Sequence, residues 1–432
     1  MDFQQALAHL DARADYENSG TIAEPSLDII QRLLSVMGDP QTTYPVIHVT
    51  GTNGKGSTSQ MITRLLMAHG LTVGTYSSPH LEQVNERMTY NCELISDEDF
   101  AEQVGAVADL ELLAGVIPSY FEILTAAAFR WFSDLAVDVA VVEVGLLGRW
   151  DATNVVDAQV AVVTNVALDH TEFAGPDKID IAREKAGIIK SGSAVVLGET
   201  DPDLVEVFKA AGGAVVLERG EDFDVLENNL AVGGRMLDLR TPTTVYTEVY
   251  VPLNGQHQGD NAACALTAVE AFFAAPVTEE LVIEGFAQVL MPGRFEVLNH
   301  LPLVIVDGAH NPAGADTCAQ VFFEDFHPEG QRILIVGCLR GRDPVQLLSA
   351  LRADEYDKVY CCTAPSRRGM PVQELAAAAR SIGCDDVIEV ATVTAACERA
   401  LNNSTVDDAI VATGSLYVVG EARPFMLRRR MA

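Results

Sequence analysis

Basic residues are scarce in this chain. Only 29 Lys and Arg stand against 61 Asp and Glu, a formal charge of −32. Such a field repels a nucleic-acid backbone, and the one basic run is the short tail LRRRMA, so DNA and RNA are poor candidates for a principal partner. An uninterrupted membrane span and a signal-peptide pattern are also lacking, and the opening MDFQQALAHLDARADYENSG is acidic and amphipathic. The eight cysteines, at 92, 264, 318, 338, 361, 362, 384 and 397, show neither CxxC nor metal-knuckle spacing; buried free thiols in a reducing cytoplasm are the expectation. No tandem repeat or low-complexity segment occurs. Any anionic substrate must therefore be held by local cations, backbone amides and metal, against the average field.

What the chain does have is 432 residues, enough for two cores, and 48% apolar content. Valine-rich runs at 44–50, 71–78, 137–145, 158–166 and 193–199 are continuously apolar, as strands covered on both faces should be. Helical spacing recurs in 57–70 and 121–135. Between about 200 and 252 the units shorten and alternate, which predicts an antiparallel extension, and 259–275 reads as a helix with small residues on one face. After the Pro292-Gly293 pair, a hinge candidate, strand-helix alternation restarts. The expected fold class is α/β: a P-loop ATPase-like domain with a mostly parallel sheet over 1–294, and a smaller Rossmann-like α/β domain over 295–432.

The stretch VIHVTGTNGKGSTSQMI (46–62) carries the strongest chemical signal. A strand ends at Thr50, a glycine-rich turn follows and a helix begins, the context a phosphate cradle requires. Gly51, Gly54 and Gly56 let the turn, with Thr52 and Asn53, aim its amides at oxygen. The helix adds unpaired amides and its positive dipole end. Lys55 can reach terminal phosphates, while Ser57 and Thr58 offer hydroxyls to phosphate or Mg²⁺. The plainer alternative is a flexible turn that holds a lysine. The pattern is not GxxxxGK[ST], since Val49 stands at the first glycine's place and Gly56 at the Ser/Thr place.

Four further stretches surround it in argument. In SSPHLEQVNER (77–87), Ser78 can coordinate a metal or simply belong to a hydroxylated loop, and His80 and Arg87 are ordinary in isolation. In VVEVGLLGRWDATN (141–154), Glu143 interrupts an apolar strand, where a buried carboxylate needs a cation or hydrogen bonds. It suits Mg²⁺, or a structural salt bridge; Asp151 either serves a second metal's water shell or makes a turn. Asn165 ends the next strand and is followed by Asp169 and His170, on the sheet edge where ligands of open α/β sheets collect. His170 is a candidate metal ligand, although Mg²⁺ prefers oxygen. Lys185, beside Glu184, either forms an ion pair, contacts phosphate, or is carboxylated by CO₂ into an anionic ligand. In VDGAHNPAG (306–314), Asp307 ends a strand and His310 and Asn311 follow, with Arg294 just beyond the hinge pair.

In order, these landmarks resemble the folylpolyglutamate synthase/dihydrofolate synthase family, ATP-dependent amino-acid ligases related to the peptidoglycan-precursor ligases: HVTGTNGKGS, YSSPHLEQVNERM, YFEILTAAAF, EVGLLGRWDATN, LDHTEFAG with IAREKAGIIK, GQHQGDNAACA, MPGRFEV, DGAHNPAG and TGSLYVVGE. The resemblance covers almost the whole chain. It implies a cytoplasmic, usually monomeric enzyme that takes a pterin or folate substrate and L-glutamate, with no nucleic-acid or membrane partner. A carboxylate is activated by MgATP to an acyl phosphate, and the amine of glutamate displaces the phosphate. Tetrahydrofolate synthase activity is expected, with dihydrofolate synthase activity as a second function. By resemblance, Lys55 is the phosphate-binding lysine; Ser57, Ser78, Glu143 and His170 are metal positions for two Mg²⁺ ions; Lys185 is the carboxylated lysine. Asn261 and Arg294 match nucleotide contacts, and Asp307 and His310 match second-domain site residues, candidates for helping the amine lose its proton. The SSPHLEQVNER loop and Phe121-Glu122 match the border of the pterin site.

Three departures stand out. Leu147 replaces a glycine and Trp150 a small aliphatic residue; VGCLRGRDPVQ has Gly341 and Arg342 where the family often has an acid and a lysine, while keeping Asp343; and PSRRGM near 365 departs from a PRA-type pattern. They keep open a related ligase with a non-folate acceptor. A nucleotide-gated module without ligation is the alternative of a different class.

Overall fold

The computed structural model describes residues 1–15 and 25–430. Residues 16–24, which include the end of the acidic N-terminal stretch, and the last two residues of the LRRRMA tail lie outside them. The chain divides into two compact units: Met1–Pro252 with Gln258–Leu290, and Leu253–His257 with Met291–Ala432.

In the first unit the parallel strands are β1 (Val46–Thr50), β2 (Val73–Tyr76), β5 (Val139–Glu143), β6 (Val160–Val163), β7 (Ala194–Leu197) and β8 (Val215–Glu218). Antiparallel β3 (Met88–Tyr90) and β4 (Glu93–Leu94) extend one edge, giving the order β4-β3-β2-β5-β1-β6-β7-β8. The central strands β1, β5 and β6 are buried along their whole length, which explains their unbroken valine-rich sequences. One face is covered by α1 (Phe3–Asp11), α2 (Asp28–Val36), α4 (Asp97–Ala114) and α5 (Tyr120–Asp134), whose Phe100, Phe129 and Phe132 are fully buried. The helix α3 (Lys55–Ala68) follows β1, and the short α6 (Thr171–Ala174), α7 (Lys178–Lys185) and α8 (Pro202–Ala210) follow in chain order. As the alternating pattern predicts, β9 (Asp224–Ala231), β10 (Gly234–Arg240) and β11 (Val245–Val251) make an antiparallel sheet. Then come α9 (His257–Phe273) and α10 (Glu279–Ala287).

The second unit holds a six-stranded sheet in the order β12-β13-β17-β14-β15-β16, with β12 (Glu296–His300) antiparallel and β13 (Leu303–Val306), β14 (Arg332–Val336), β15 (Lys358–Cys362), β16 (Val387–Val390) and β17 (Ala409–Thr413) parallel. Its helices are α11 (Pro312–Asp325), α12 (Pro344–Ala350), α13 (Val372–Ser381), α14 (Val393–Asn402) and α15 (Leu416–Arg430). Both units are thus α/β with mixed, mostly parallel sheets. All eight cysteines are free thiols, and all but Cys92 are buried. No described helix is long and apolar enough to cross a membrane.

Candidate active site

Strand β1 lies between β5 and β6, with Val49 opposite Glu143 and Thr50 opposite Val163, so three carboxyl ends open at one level of the sheet. The glycine-rich turn leaves β1 there. Gly51 lies against Thr164 and Gly54, at φ +81°, lies against the Asn261 side chain, so closely that a Cβ at either would collide. The turn is also stitched to the end of β6. The Asn165 amide donates to the Asn53 carbonyl (3.1 Å) and accepts from the Asn53 N–H (3.0 Å). Thr164 Oγ1 donates to the same carbonyl (2.6 Å), and the Thr52 N–H donates to the Asn165 carbonyl (3.0 Å). Lys55 opens α3 and folds back, its ammonium donating to the carbonyls of Gly51 (3.1 Å) and Thr52 (3.2 Å). Ser57 and Thr58 are buried in the first turn of that helix.

Thr164 and Asn165 thus act as a template for the turn, a role their sequence position did not disclose; the one signal was a polar pair closing an apolar strand. Asn165→Ala removes both side-chain bonds to Asn53 while the Thr164 bond to its carbonyl stays, a cost of about 1–3 kcal/mol, or roughly 5- to 150-fold in affinity. Titration with MgADP should show that weakening at a nearly unchanged Tm. Unaltered affinity would show that the turn keeps its shape unaided.

On the other side of β1, Tyr76 of β2 pairs with Val142, so Ser77 and Ser78 emerge beside Glu143. The Ser78 N–H donates to Glu143 Oε2 at 3.3 Å. Glu143 is 5% exposed, and the Ser78 hydroxyl is buried without a hydrogen-bond partner among the described residues. A buried carboxylate next to an unpartnered hydroxyl is costly in protein alone, and it suits a hard cation that takes oxygen ligands. His170 caps α6 from a left-handed conformation (φ 53°). Its N–H donates to Asp169 Oδ1 at 2.8 Å, and its Nε2 lies 3.8 Å from Asp169 Oδ2. Among the described residues no three His, Cys, Asp or Glu side chains converge to hold a metal. The implied set contains only two residues of those kinds, Glu143 and His170.

Lys185 ends α7 at 3% exposure and makes no hydrogen bond or ion pair among the described residues. The ion-pair alternative fails for a stated reason: Glu184 faces Arg149 at 3.7 Å, and its carbonyl accepts from the Arg149 N–H at 2.8 Å. Burial first, and then the Lys55 charge, push the Lys185 amine well below the usual lysine range, while Asp169 and Asp151 pull it back. This environment disfavours the charged amine.

The loop from Gly145 to Asn154 backs that lysine. Gly148 lies within 3 Å of the Glu184 carbonyl at the place a Cβ would occupy, so the loop and the end of α7 touch backbone to backbone. Leu147 sits at φ 58°, a left-handed conformation that explains why glycine suits this position and that costs a leucine about 1–2 kcal/mol. Its carbonyl is held by Thr50 Oγ1 at 2.6 Å, and its side chain packs on the cluster containing Val144 and Ile181. The departure from glycine thus strains this loop, whose backbone Thr50 holds in place. Asp151 makes a turn: its carboxylate takes the N–H of Leu146 (2.8 Å), the N–H of Thr153 (3.0 Å) and the Thr153 hydroxyl. The Asn154 amide bridges the carbonyls of Arg149 (2.9 Å) and Gly187 (3.0 Å). Behind them, burial holds His48 neutral, its pKa lowered to about 3, with Nε2 2.9 Å from Thr153 Oγ1.

In the second unit Asp307 follows β13 and accepts from the N–H of Phe295 (2.8 Å) and of Ala309 (2.9 Å), which grips the turn carrying Arg294. Burial raises its carboxyl pKa, against the Arg294 charge and these bonds. Arg294 Nη1 reaches the Gly308 carbonyl at 3.5 Å, and His310 Nδ1 lies 3.0 Å from the same oxygen. That contact requires the proton on Nδ1, because a carbonyl only accepts. Asn311 caps α11 through the Gly314 N–H. Within each unit, then, most residues singled out from sequence lie at the carboxyl ends of strands or in the helix start that follows β1, with Asn261 against the turn and Lys185 at the end of α7.

Comparison with known proteins follows the same division. Residues 121–269 match the Mur ligase middle domain and residues 293–416 the Mur ligase glutamate ligase domain. A dihydrofolate synthase/folylpolyglutamate synthase of Mycobacterium tuberculosis is 38% identical over 447 residues, covering 93% of this chain and 90% of its own. The structure of M. tuberculosis folylpolyglutamate synthase complexed with ADP and AMPPCP superposes with a TM-score of 0.90 at 37% identity, covering 98% of both chains. A bifunctional folylpolyglutamate synthase/dihydrofolate synthase with Mn, AMPPNP and L-glutamate bound gives 0.85 at 28% identity and the same coverage.

Proposed function

The chain belongs to the bifunctional folylpolyglutamate synthase/dihydrofolate synthase family, relatives of the Mur ligases, and from that premise we propose how its own residues do the family's chemistry. The protein is an ATP-dependent ligase that joins L-glutamate to a folate or dihydropteroate carboxylate through an acyl phosphate, releasing ADP and phosphate. The observation that carries the assignment of roles is the turn bearing Lys55, held between the Asn165 clamp and the Ser78–Glu143 pair on neighbouring strand ends.

A free carboxylate does not acylate an amine, because its leaving group would be oxide. Phosphorylation supplies a better one. The carboxylate oxygen attacks the γ-phosphorus, the bond to the β/γ-bridging oxygen breaks, and ADP leaves with that electron pair. In our reading the turn from Gly51 to Ser57 forms a P-loop-like cradle for the phosphates. Lys55 exchanges its two backbone carbonyls for phosphate oxygens and meets the charge that grows on the bridging oxygen. Asn261, against Gly54, borders the nucleotide. Ser57, Ser78, Glu143 and His170, with a carboxylated Lys185, are the residues that would hold two Mg²⁺ ions. Bound there, Mg²⁺ supplies neutralising charge to the phosphate oxygens.

We assign residues 1–294 to ATP and acceptor activation. The Rossmann-like unit from 295 contributes to glutamate and nucleotide binding through Arg294 at its border, Asp307 and His310. Both Asp307 oxygens hold backbone amides, so Asp307 positions this turn, and His310, whose Nδ1 is turned to the Gly308 carbonyl, is the better group to take the proton of the incoming amine. The protein works in this reading as a cytoplasmic monomer with both ligase activities.

Phosphate release, measured with acceptor and glutamate supplied or withheld, tests the function. Release that needs dihydropteroate or tetrahydrofolate together with glutamate, with a product one glutamyl residue heavier, is the expected result. Turnover with neither acceptor would overturn it.

A further inference from the structure

Lys190 closes the IAREKAGIIK stretch that carries Lys185, and only the short turn Ala186–Ile188 and Ile189 separate the two. It is half-buried, and its ammonium donates to Asn154 at two points, Oδ1 at 2.9 Å and the main-chain carbonyl at 3.3 Å. Asn154 is 6% exposed, so its amide must find partners inside the protein. Its Nδ2 donates to the carbonyls of Arg149 (2.9 Å) and Gly187 (3.0 Å). Those carbonyls belong to the two chain segments that meet around Lys185. Arg149 lies in the loop that leaves Glu143, and Gly187 lies in the turn that leaves Lys185. Across the same seam the Arg149 N–H donates to the Glu184 carbonyl at 2.8 Å. Neither Gly148 nor Gly187 leaves room for a Cβ against the opposite segment, so the two backbones touch on both sides of the lysine.

An asparagine amide has two settings, related by a half-turn that exchanges its oxygen and its NH₂. In one, the two protons of Nδ2 meet two carbonyls. In the other, Oδ1 faces two carbonyl oxygens and the seam is pushed open. An ammonium only donates, so Lys190 admits the first setting alone, and a charged donor makes the stronger bond. Lys185 makes no hydrogen bond of its own among the described residues, so the reach of its side chain is set by the main chain on either side of it. Holding that main chain is the kind of task that falls to residues standing behind a metal's ligands.

We propose that Lys190 is a positioning residue of the ligase: by fixing the Asn154 amide it locks the seam around Lys185 and so the reach of Lys185 as a metal ligand. This rests on the metal role proposed for Lys185 above. The test titrates Mn²⁺ into the complex with AMPPNP and reads its affinity by electron paramagnetic resonance, beside Tm and steady-state kinetics. The proteins compared are wild type, Lys190→Met, Lys190→Arg, Asn154→Ala, the double variant Lys190→Met with Asn154→Ala, and Lys185→Ala. In Lys190→Met, Mn²⁺ affinity and kcat should each fall about tenfold. The KM values for glutamate and tetrahydrofolate should stay within about twofold. Lys190→Arg, also a pure donor, should recover most of both losses. The double variant should be no worse than Asn154→Ala, because Lys190 acts through that amide. A lowered Tm with unchanged Mn²⁺ affinity in Lys190→Met would make the contact merely structural, and additive losses in the double variant would show another route; either overturns the proposal. Loss of Mn²⁺ affinity in Lys185→Ala but not in Lys190→Met would overturn the positioning alone. A Lys185→Ala protein that binds Mn²⁺ as the wild type does would overturn the metal role of Lys185, and this inference with it.

Discussion

Lys55→Ala should yield a folded protein with essentially no turnover. The side chain is half-buried at the surface of the turn, and its ammonium bonds to the carbonyls of Gly51 and Thr52 can be replaced by water in its absence. Its contribution comes when charge moves onto the bridging oxygen of ATP. A cation fixed there, in a site shaped by Gly51 and Gly54, is worth roughly 3 kcal/mol or more, which is a loss of at least about 150-fold in rate. Lys55→Arg should not rescue it, because a planar fork cannot replace a point charge folded against two carbonyls. Steady-state phosphate release reads the rate, and MgADP titration separates a binding loss from a chemical one. Near-normal activity of Lys55→Ala would remove the cradle from the mechanism.

The cradle was legible because every local signal there agrees. An apolar strand, two glycines at forced close approaches, and a helix that can start only after them leave one arrangement. Glu143 was legible for a related reason, as an acid inside a buried strand. The strand ends were less so. The apolar run 158–166 suggested a strand to Val166, whereas β6 stops at Val163 and Thr164 and Asn165 turn away to hold Asn53. Val166 is still buried, at 5% exposure, so hydropathy alone could not mark the exit. In the same way Asp151 and Lys185 looked alike in sequence, each a charge in a small-residue setting. Only the fold shows that Asp151 has three donors and that the lysine has no partner among the described residues.

Lys185→Ala should be about as damaging as loss of Lys55, and the wild type should depend on dissolved CO₂. The amine is buried, without a hydrogen-bonded partner among the described residues, and is held toward its neutral form by burial and by Lys55. A neutral amine adds to CO₂: nitrogen's lone pair forms the N–C bond, an electron pair moves to oxygen, and one N–H proton leaves to solvent. The product is an anion where a cation would face Lys55, and it offers two oxygens as metal ligands. Because a proton is released, occupancy should rise with pH. Enzyme prepared in CO₂-free buffer should lose most of its activity and regain it on adding bicarbonate, while Lys185→Ala should stay at least about 100-fold down under both conditions. A labelled carbamate carbon, seen by NMR with ¹³CO₂ in the wild type and missing from the variant, would identify the group directly. If the variant fails but the wild type ignores CO₂ altogether, the lysine acts as an ordinary amine toward phosphate, and the metal positions must be filled by other oxygens.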